Sequence, residues 1–93
     1  MGDGLNERMS RLALSFPALA RAPGVSPWES DKFIRWVQKG GGSHGEKTCG
    51  KFVLLVWNNF DWGEKFNLAE AISVWDKENY KAFLEWVKNP WWA

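Results

Sequence analysis

Apolar residues recur at helical spacing in the first part of the chain. Four of them fall at intervals of three and four residues: Leu5, Met9, Leu12 and Phe16. This spacing places them on one side of an α-helix. Pro17 follows, and a proline disfavours α geometry in the residue before it. The pattern therefore predicts a first helix that ends near Ser15.

A serine, a proline and a glutamate mark the expected start of a second helix. Ser26 can cap the helix, Pro27 suits its first position, and Glu29 stands where a capping box has its acid. The apolar stripe that follows consists of Phe33, Trp36 and Val37. Three glycines then end the predicted helix and begin a glycine-rich loop over residues 40–45.

The third segment is predicted to be a central helix. A second S-x-x-E box runs from Ser43 to Glu46. Apolar residues follow at helical period: Cys49, Phe52, Val53, Val56, Trp57 and Phe60. Because Leu54 and Leu55 are apolar too, we expect apolar side chains nearly all round this helix. A buried strand over residues 52–57 is the alternative that a short apolar run leaves open.

Two further helix starts follow a polar stretch over residues 58–65, which is predicted to be a loop. Asn67 and Asp76 are both good N-cap residues. The apolar stripe of the fourth helix is Leu68, Ala71, Ile72 and Trp75, and that of the last helix is Tyr80, Phe83, Leu84 and Val87. Asn89 and Pro90 are expected to end the last helix.

These elements together predict an all-α protein, a compact bundle or orthogonal array of four to five short helices. We expect one domain over residues 1–93, with residues 1–4 as a flexible start. The chain is 45% apolar and 25% charged, as is typical of globular proteins. Its eight Trp and six Phe supply a large apolar surface for the core.

Charge and cysteine content narrow the class of protein. The net charge of +1 does not favour a strong nucleic-acid binder, which usually shows a clear basic excess. Cys49 is the single cysteine, so no intramolecular disulfide can form, and a reducing cytoplasm is predicted. No apolar run approaches the ~20 residues of a membrane span.

The residues that could carry catalysis or bind metal are few. His44 and Cys49 are five residues apart, a spacing that does not place them on one face of a helix. One histidine and one cysteine are too few for a closed zinc site. The loop at 40–45 lacks the phosphate-binding pattern of a P-loop. We therefore predict no catalytic residue, cofactor or metal, and a protein that is not an enzyme.

Tryptophan is the more informative residue. Trp57 and Trp75 lie on apolar stripes and are predicted to be core. Five others are candidates for contact with a partner: Trp28, Trp62, Trp86, Trp91 and Trp92. Tryptophan is enriched at binding hot spots. The leading hypothesis is a protein-interaction module, a small regulator or inhibitor that docks on a larger protein. Its partner could also be a further copy of the same chain, in a homo-oligomer. The terminal pair is expected either to cover the bundle or to meet that partner.

The alternative hypothesis is a nucleic-acid-associated protein that uses a basic face within residues 32–51. This face would contact phosphates through Lys32, Arg35, Lys39, Lys47 and Lys51.

Three segments resemble parts of short hypothetical proteins from bacterial genomes, plasmids and phages. They are residues 43–46 (SHGE), 52–58 (FVLLVWN) and 89–92 (NPWW). The resemblance implies a bacterial or mobile-element origin. It implies no particular activity and assigns no functional residue.

Overall fold

The computed structural model describes residues 4–39, 42–58 and 66–92. Within these ranges the chain forms helices and no β-strand, so the all-α prediction is confirmed. The helices are α1 (Gly4–Leu14), α2 (Ser30–Gln38), α3 (His44–Asn58), α4 (Leu68–Val74) and α5 (Lys77–Lys88), with a 3-10 turn at Pro17–Leu19. Residues 52–57 lie within α3, so the strand alternative is wrong.

Some predictions concern residues outside the described ranges. These are most of the flexible start at 1–4, part of the glycine loop, the predicted loop after Asn58, and Phe60 and Trp62. Gly4 itself is the first residue of α1.

Three of the predicted caps are confirmed by hydrogen bonds. The N–H of Ser43 donates to the carboxylate of Glu46 at 2.8 Å, and the N–H of Glu46 donates to the Ser43 hydroxyl at 3.1 Å. Asn67 accepts from the backbone N–H of Glu70 at 2.9 Å. Asp76 accepts from the backbone N–H of Asn79 at 3.0 Å. Each bond satisfies a donor that a helix start leaves unpaired, so α3, α4 and α5 begin where the sequence predicts.

The predicted cap at Ser26 is wrong. Helix α2 begins at Ser30, and its N-cap, Glu29, makes no side-chain capping bond. The N–H of Glu29 instead donates to the carbonyl of Gly24 at 2.7 Å, which closes a turn that contains Ser26. The turn brings Trp28 into the core. A cap contributes about 1 kcal/mol, whereas burial of an indole contributes a few kcal/mol, so burial decides the local structure.

Helix α3 is the centre of the molecule, as its all-round apolar sequence predicts. Its side chains at Phe52, Val53, Leu54 and Val56 are buried, whereas Trp57, which was expected to be buried, is only half-buried. The ring of Phe52 lies 5.1 Å from the rings of both Phe83 and Trp86. The remaining helices and the 3-10 turn therefore pack around one aromatic core.

Helices α2 and α3 approach closely at Gly50. An ideal Cβ on Gly50 would lie 2.6 Å from Cγ2 of Val37 and 3.5 Å from the ring of Phe33. Val37 is fully buried and belongs to α2. The close contact between these two helices therefore depends on Gly50 having no side chain.

The apolar stripes of α4 and α5 lie differently from the prediction. Five side chains expected in the core are between 38% and 49% exposed: Leu68, Ile72, Tyr80, Leu84 and Val87. The inward side of α5 carries Ala82, half-buried Phe83 and the polar Asn79. The side-chain oxygen of Asn79 accepts from the N–H of Ala18 at 3.1 Å, which ties α5 to the 3-10 turn. The bond lies on the same side of α5 as the core contacts of Phe83 and Trp86, and the second apolar face of the helix points outward.

Candidate interaction surface

Of the five tryptophans proposed as contacts, Trp28 lies in the core and Trp62 lies outside the described ranges. Trp28 is only 6% exposed, and its ring lies 5.3 Å from that of Phe33 and 5.5 Å from that of Trp57. Its indole N–H is buried and has no hydrogen-bond partner among the described residues. Trp28 therefore offers no ring to a partner in this conformation.

The C-terminal tail folds back onto α5 and α1. The indole N–H of Trp86 donates to the carbonyl of Trp91 at 3.1 Å, and the guanidinium of Arg8 lies 4.1 Å from the centroid of the Trp91 ring. Trp92 is 57% exposed, and its ring meets that of Trp86 edge-on at 5.3 Å. Trp91 thus covers part of the bundle as a lid would, whereas Trp92 points outward.

The residues of the proposed basic face do not form a row of unpaired cations. Lys32 bonds to the Glu29 carboxylate at 3.1 Å. Lys51 lies 3.9 Å from Glu70, and its side chain is only 12% exposed. Lys47 is half-buried near the start of α3, whereas Arg35 of α2 and Lys39, the C-cap of that helix, are exposed. Carboxylates beside Lys32 and Lys51 therefore offset part of the positive charge that would attract a phosphate backbone.

His44 and Cys49 occupy separate environments. Nε2 of His44 lies 3.2 Å from the Glu70 carboxylate, so this contact joins the start of α3 to α4. Cys49 is fully buried, and burial raises the pKa of its thiol to about 12, a rise that Asp76 and Glu46 add to and the Trp75 indole opposes. No indole-to-thiol hydrogen bond meets the usual geometric limits, so burial decides the direction. The thiol form, a weak nucleophile, therefore prevails at neutral pH.

The most distinctive surface feature is a row of apolar side chains on α5. Tyr80, Leu84 and Val87 follow one another at intervals of four and three residues, so they share one face of the helix. We call these three residues the α5 row. At about 100° per residue, the row lies opposite Ala82 and Trp86, which face the core. Sequence reasoning missed this surface because α5 carries apolar residues on two faces.

Two further exposed apolar residues lie on the neighbouring helix in sequence. Leu68 and Ile72 are four residues apart on α4 and are 44% and 49% exposed. We call them the α4 pair. The residues of α4 that are buried or half-buried against the core are instead Ala71 and Val74.

Lysines border the α5 row on one side. Lys77, Lys81 and Lys88 lie seven, three and four residues from Leu84, so they share the adjacent face of the helix. Lys88 bonds to Glu85 at 3.0 Å. The row is therefore an apolar strip with a basic edge.

Two other kinds of feature, a metal-binding cluster and a membrane-spanning helix, are not found among the described residues. Within residues 4–39, 42–58 and 66–92, no three His, Cys, Asp or Glu residues are grouped so that they could hold a metal ion. In the same ranges no helix has the length and hydropathy needed to cross a membrane. Comparison with known proteins gives no match: no family model, curated protein or solved structure is significantly similar to this chain.

Proposed function

We propose that this chain is a non-enzymatic protein-interaction module, a small regulator or inhibitor that docks on a larger protein. The α5 row and the α4 pair would form the contact surface. One observation carries the proposal: five large apolar side chains on consecutive helices remain 38–49% exposed, while Ala71 and Ala82 of the same helices are buried. Extended apolar patches on soluble proteins commonly mark interaction sites.

The spacing of the α5 row supports a particular mode of contact. Side chains at i, i+4 and i+7 are the anchors with which a helix enters an apolar groove. The row comprises Tyr80, Leu84 and Val87, and tyrosine is common at binding hot spots. Trp92, the most exposed of the described tryptophans proposed from sequence, would add contact area at the end of α5.

The basic edge of the row favours a partner other than a second copy. Two α5 helices packed antiparallel through the row would place their basic edges side by side, with Lys81 of one chain near Lys88 of the other. Like charges at such positions oppose association. A partner with an acidic edge beside an apolar groove would instead complement both features.

The nucleic-acid alternative has less support. Two of its five residues, Lys32 and Lys51, lie beside carboxylates, and the net charge of the chain is +1. A cytoplasmic location belongs to the proposal, because a lone buried thiol suits a reducing compartment. A bacterial or mobile-element origin stays a prediction from the resemblance.

Photo-crosslinking in native cells would test the proposal. A photoreactive phenylalanine analogue is placed at Leu84, and in a matched control at Leu14, a leucine of α1 that is 43% exposed. We expect one discrete adduct with another protein from position 84 and none from position 14. Equal adducts from both positions, or none from position 84, would contradict the proposal. An adduct between two copies of this chain would show that the surface binds a second copy and not a larger protein.

A further inference from the structure

A cleft between α1, α5 and the C-terminal tail lies apart from the proposed contact surface. Its volume is about 250 Å³. On α5 it is lined by Ala82, Glu85 and Trp86, which lie on the opposite side of the helix from the α5 row. The inference drawn from this cleft therefore does not depend on the proposed function.

Half of the residues that line the cleft are apolar or aromatic, and the other half are charged or polar. Leu12 and Ala82 are buried, and the half-buried indoles of Trp86 and Trp91 lie beside them. The bond from the Trp86 N–H to the Trp91 carbonyl fixes the tail at this position. The cleft is therefore preformed and can receive an apolar group without reordering the chain.

Arg8 lies at the exposed edge of the cleft and is held by the tail. Its guanidinium lies over the Trp91 ring, 4.1 Å from the centroid, which is a cation–π contact. Stacking occupies the face of a guanidinium, whereas its N–H donors lie in its plane. In the described part of the chain Arg8 forms no ion pair with a carboxylate. Its donors are thus positioned and available.

A second cation lines the same cleft, and its one acid is paired. Arg11 is 4.0 Å from Glu7, and both side chains are more than 70% exposed, so this ion pair is weak and Arg11 can turn toward a ligand. Glu85 is 3.0 Å from Lys88, and because both side chains are more than 60% exposed this pair is weak as well. Two arginines against one glutamate still give the lining a net positive charge. The balance of charge at the cleft therefore favours a negatively charged ligand.

We propose that this cleft binds a small organic carboxylate. The apolar group of the ligand lies between Leu12 and the indoles of Trp86 and Trp91, and the guanidinium of Arg8 holds the carboxylate. Paired N–H donors match the two oxygens of a carboxylate, and the adjacent indoles reduce competition from water. The volume of about 250 Å³ suits one ring or a branched chain. The ligand is either a free acid or the C-terminal residue of a peptide.

NMR titration of the full chain with matched probes tests the proposal. Phenylacetate is compared with uncharged phenylacetamide, while the indole N–H signals of Trp86 and Trp91 are followed. We expect phenylacetate to shift both signals. Phenylacetamide should bind at least about tenfold more weakly, because a charge-assisted hydrogen bond is lost. Equal binding of acid and amide, or no shift with either probe at millimolar concentration, would overturn it.

A second arm distinguishes the two sources of the carboxylate. N-acetyl-alanyl-phenylalanine is compared with its C-terminal amide and with phenylacetate. Tighter binding of the peptide acid would identify a chain terminus as the ligand, and equal or weaker binding would identify a small free acid. A peptide amide that binds as well as the peptide acid would contradict a carboxylate site.

Variants assign the binding to Arg8. Arg8→Gln should weaken phenylacetate binding about tenfold, and Arg8→Lys should have an intermediate effect because charge remains but the planar donors are lost. Arg21→Gln is the matched control, since Arg21 is exposed elsewhere on the molecule, and should leave binding unchanged. Equal effects of the Arg8 and Arg21 variants would overturn the assignment. The Trp86 indole signal of each free variant shows whether the tail is still in place.

Discussion

Replacement of Gly50 by alanine should destabilise the protein, although alanine favours helices. In an exposed helix interior, Gly→Ala stabilises by up to about 1 kcal/mol. At Gly50 the new Cβ would meet Cγ2 of Val37 at 2.6 Å, and both residues are buried between α2 and α3. Overpacking of this kind costs about 1–3 kcal/mol. We therefore expect a net loss of roughly 1–2 kcal/mol from these two opposed effects.

Gly45 provides a matched control in the same helix. A Cβ there would lie 3.7 Å from the Val74 carbonyl and 3.9 Å from the Ser43 hydroxyl, which are ordinary contacts. Gly45→Ala should therefore leave stability unchanged or raise it by up to about 1 kcal/mol. Urea unfolding of both variants measures the difference in the free energy of unfolding. In thermal unfolding, 1 kcal/mol corresponds to a shift in melting temperature of about 4–8 °C in a domain of this size.

A double variant tests the cause of the loss. Val37→Ala removes the methyl groups that the Cβ at position 50 would meet. If the clash is the cause, the double variant Val37→Ala with Gly50→Ala should lose less free energy of unfolding than the two single variants lose together. The difference should be about 1 kcal/mol. Gly50→Ala and Gly45→Ala variants of equal stability, or additive effects in the double variant, would refute the close contact between α2 and α3.

Three further predictions follow from the core, the caps and the basic face. Phe52→Ala should lower the free energy of unfolding by about 3–5 kcal/mol, because its ring is 1% exposed at the centre of the aromatic core; an unchanged denaturant midpoint would contradict this. Ser43→Ala should cost about 0.5–2 kcal/mol while Ser26→Ala costs less, as thermal unfolding of the two would show, and equal losses would restore the rejected cap. Lys32→Glu with Arg35→Glu should hardly change nucleic-acid binding, which we expect to be weak at physiological salt in a titration of the wild type; a steep salt slope that falls by about two in the variant would support the alternative function.

The helix starts could be predicted because capping is local. Ser43 and Glu46, or Asn67 and the N–H of Glu70, lie three residues apart, so the sequence holds both partners of each bond. Ser26 shows the limit of such reasoning. Its box is intact in sequence, but burial of Trp28 nearby contributes more than the cap would.

The inward face of α5 could not be predicted, because its sequence offers two apolar faces of similar size. One contains Ala82, Phe83 and Trp86, and the other is the α5 row. The choice between them depends on tertiary contacts, among them the packing of Phe52 on Trp86 and the bond from the Ala18 N–H to Asn79, which join residues far apart in sequence. The sequence therefore predicts the candidate surface at the tryptophans, of which Trp92 is exposed, whereas most of the exposed apolar side chains are aliphatic residues and Tyr80.

The cleft at the tail likewise depends on tertiary structure. Arg8 and Trp91 lie near opposite ends of the chain, and their contact forms only when α1 and the tail pack against α5. The sequence predicted that Trp91 and Trp92 would act together, as a cover or as a contact. In the structure they are divided, since Trp91 covers the bundle and Trp92 is exposed.

The central claim is that the α5 row docks on a protein partner, and the affinity of the purified chain for its crosslinked partner tests it most directly. The variants are Leu84→Asp and, as a control of the same chemistry, Leu14→Asp. Both leucines are about 40% exposed, so both variants should remain folded by circular dichroism. We predict that Leu84→Asp weakens binding at least about tenfold, as loss of an apolar anchor does, and that Leu14→Asp leaves it unchanged. Equal affinities of the two folded variants for the partner would contradict the claim.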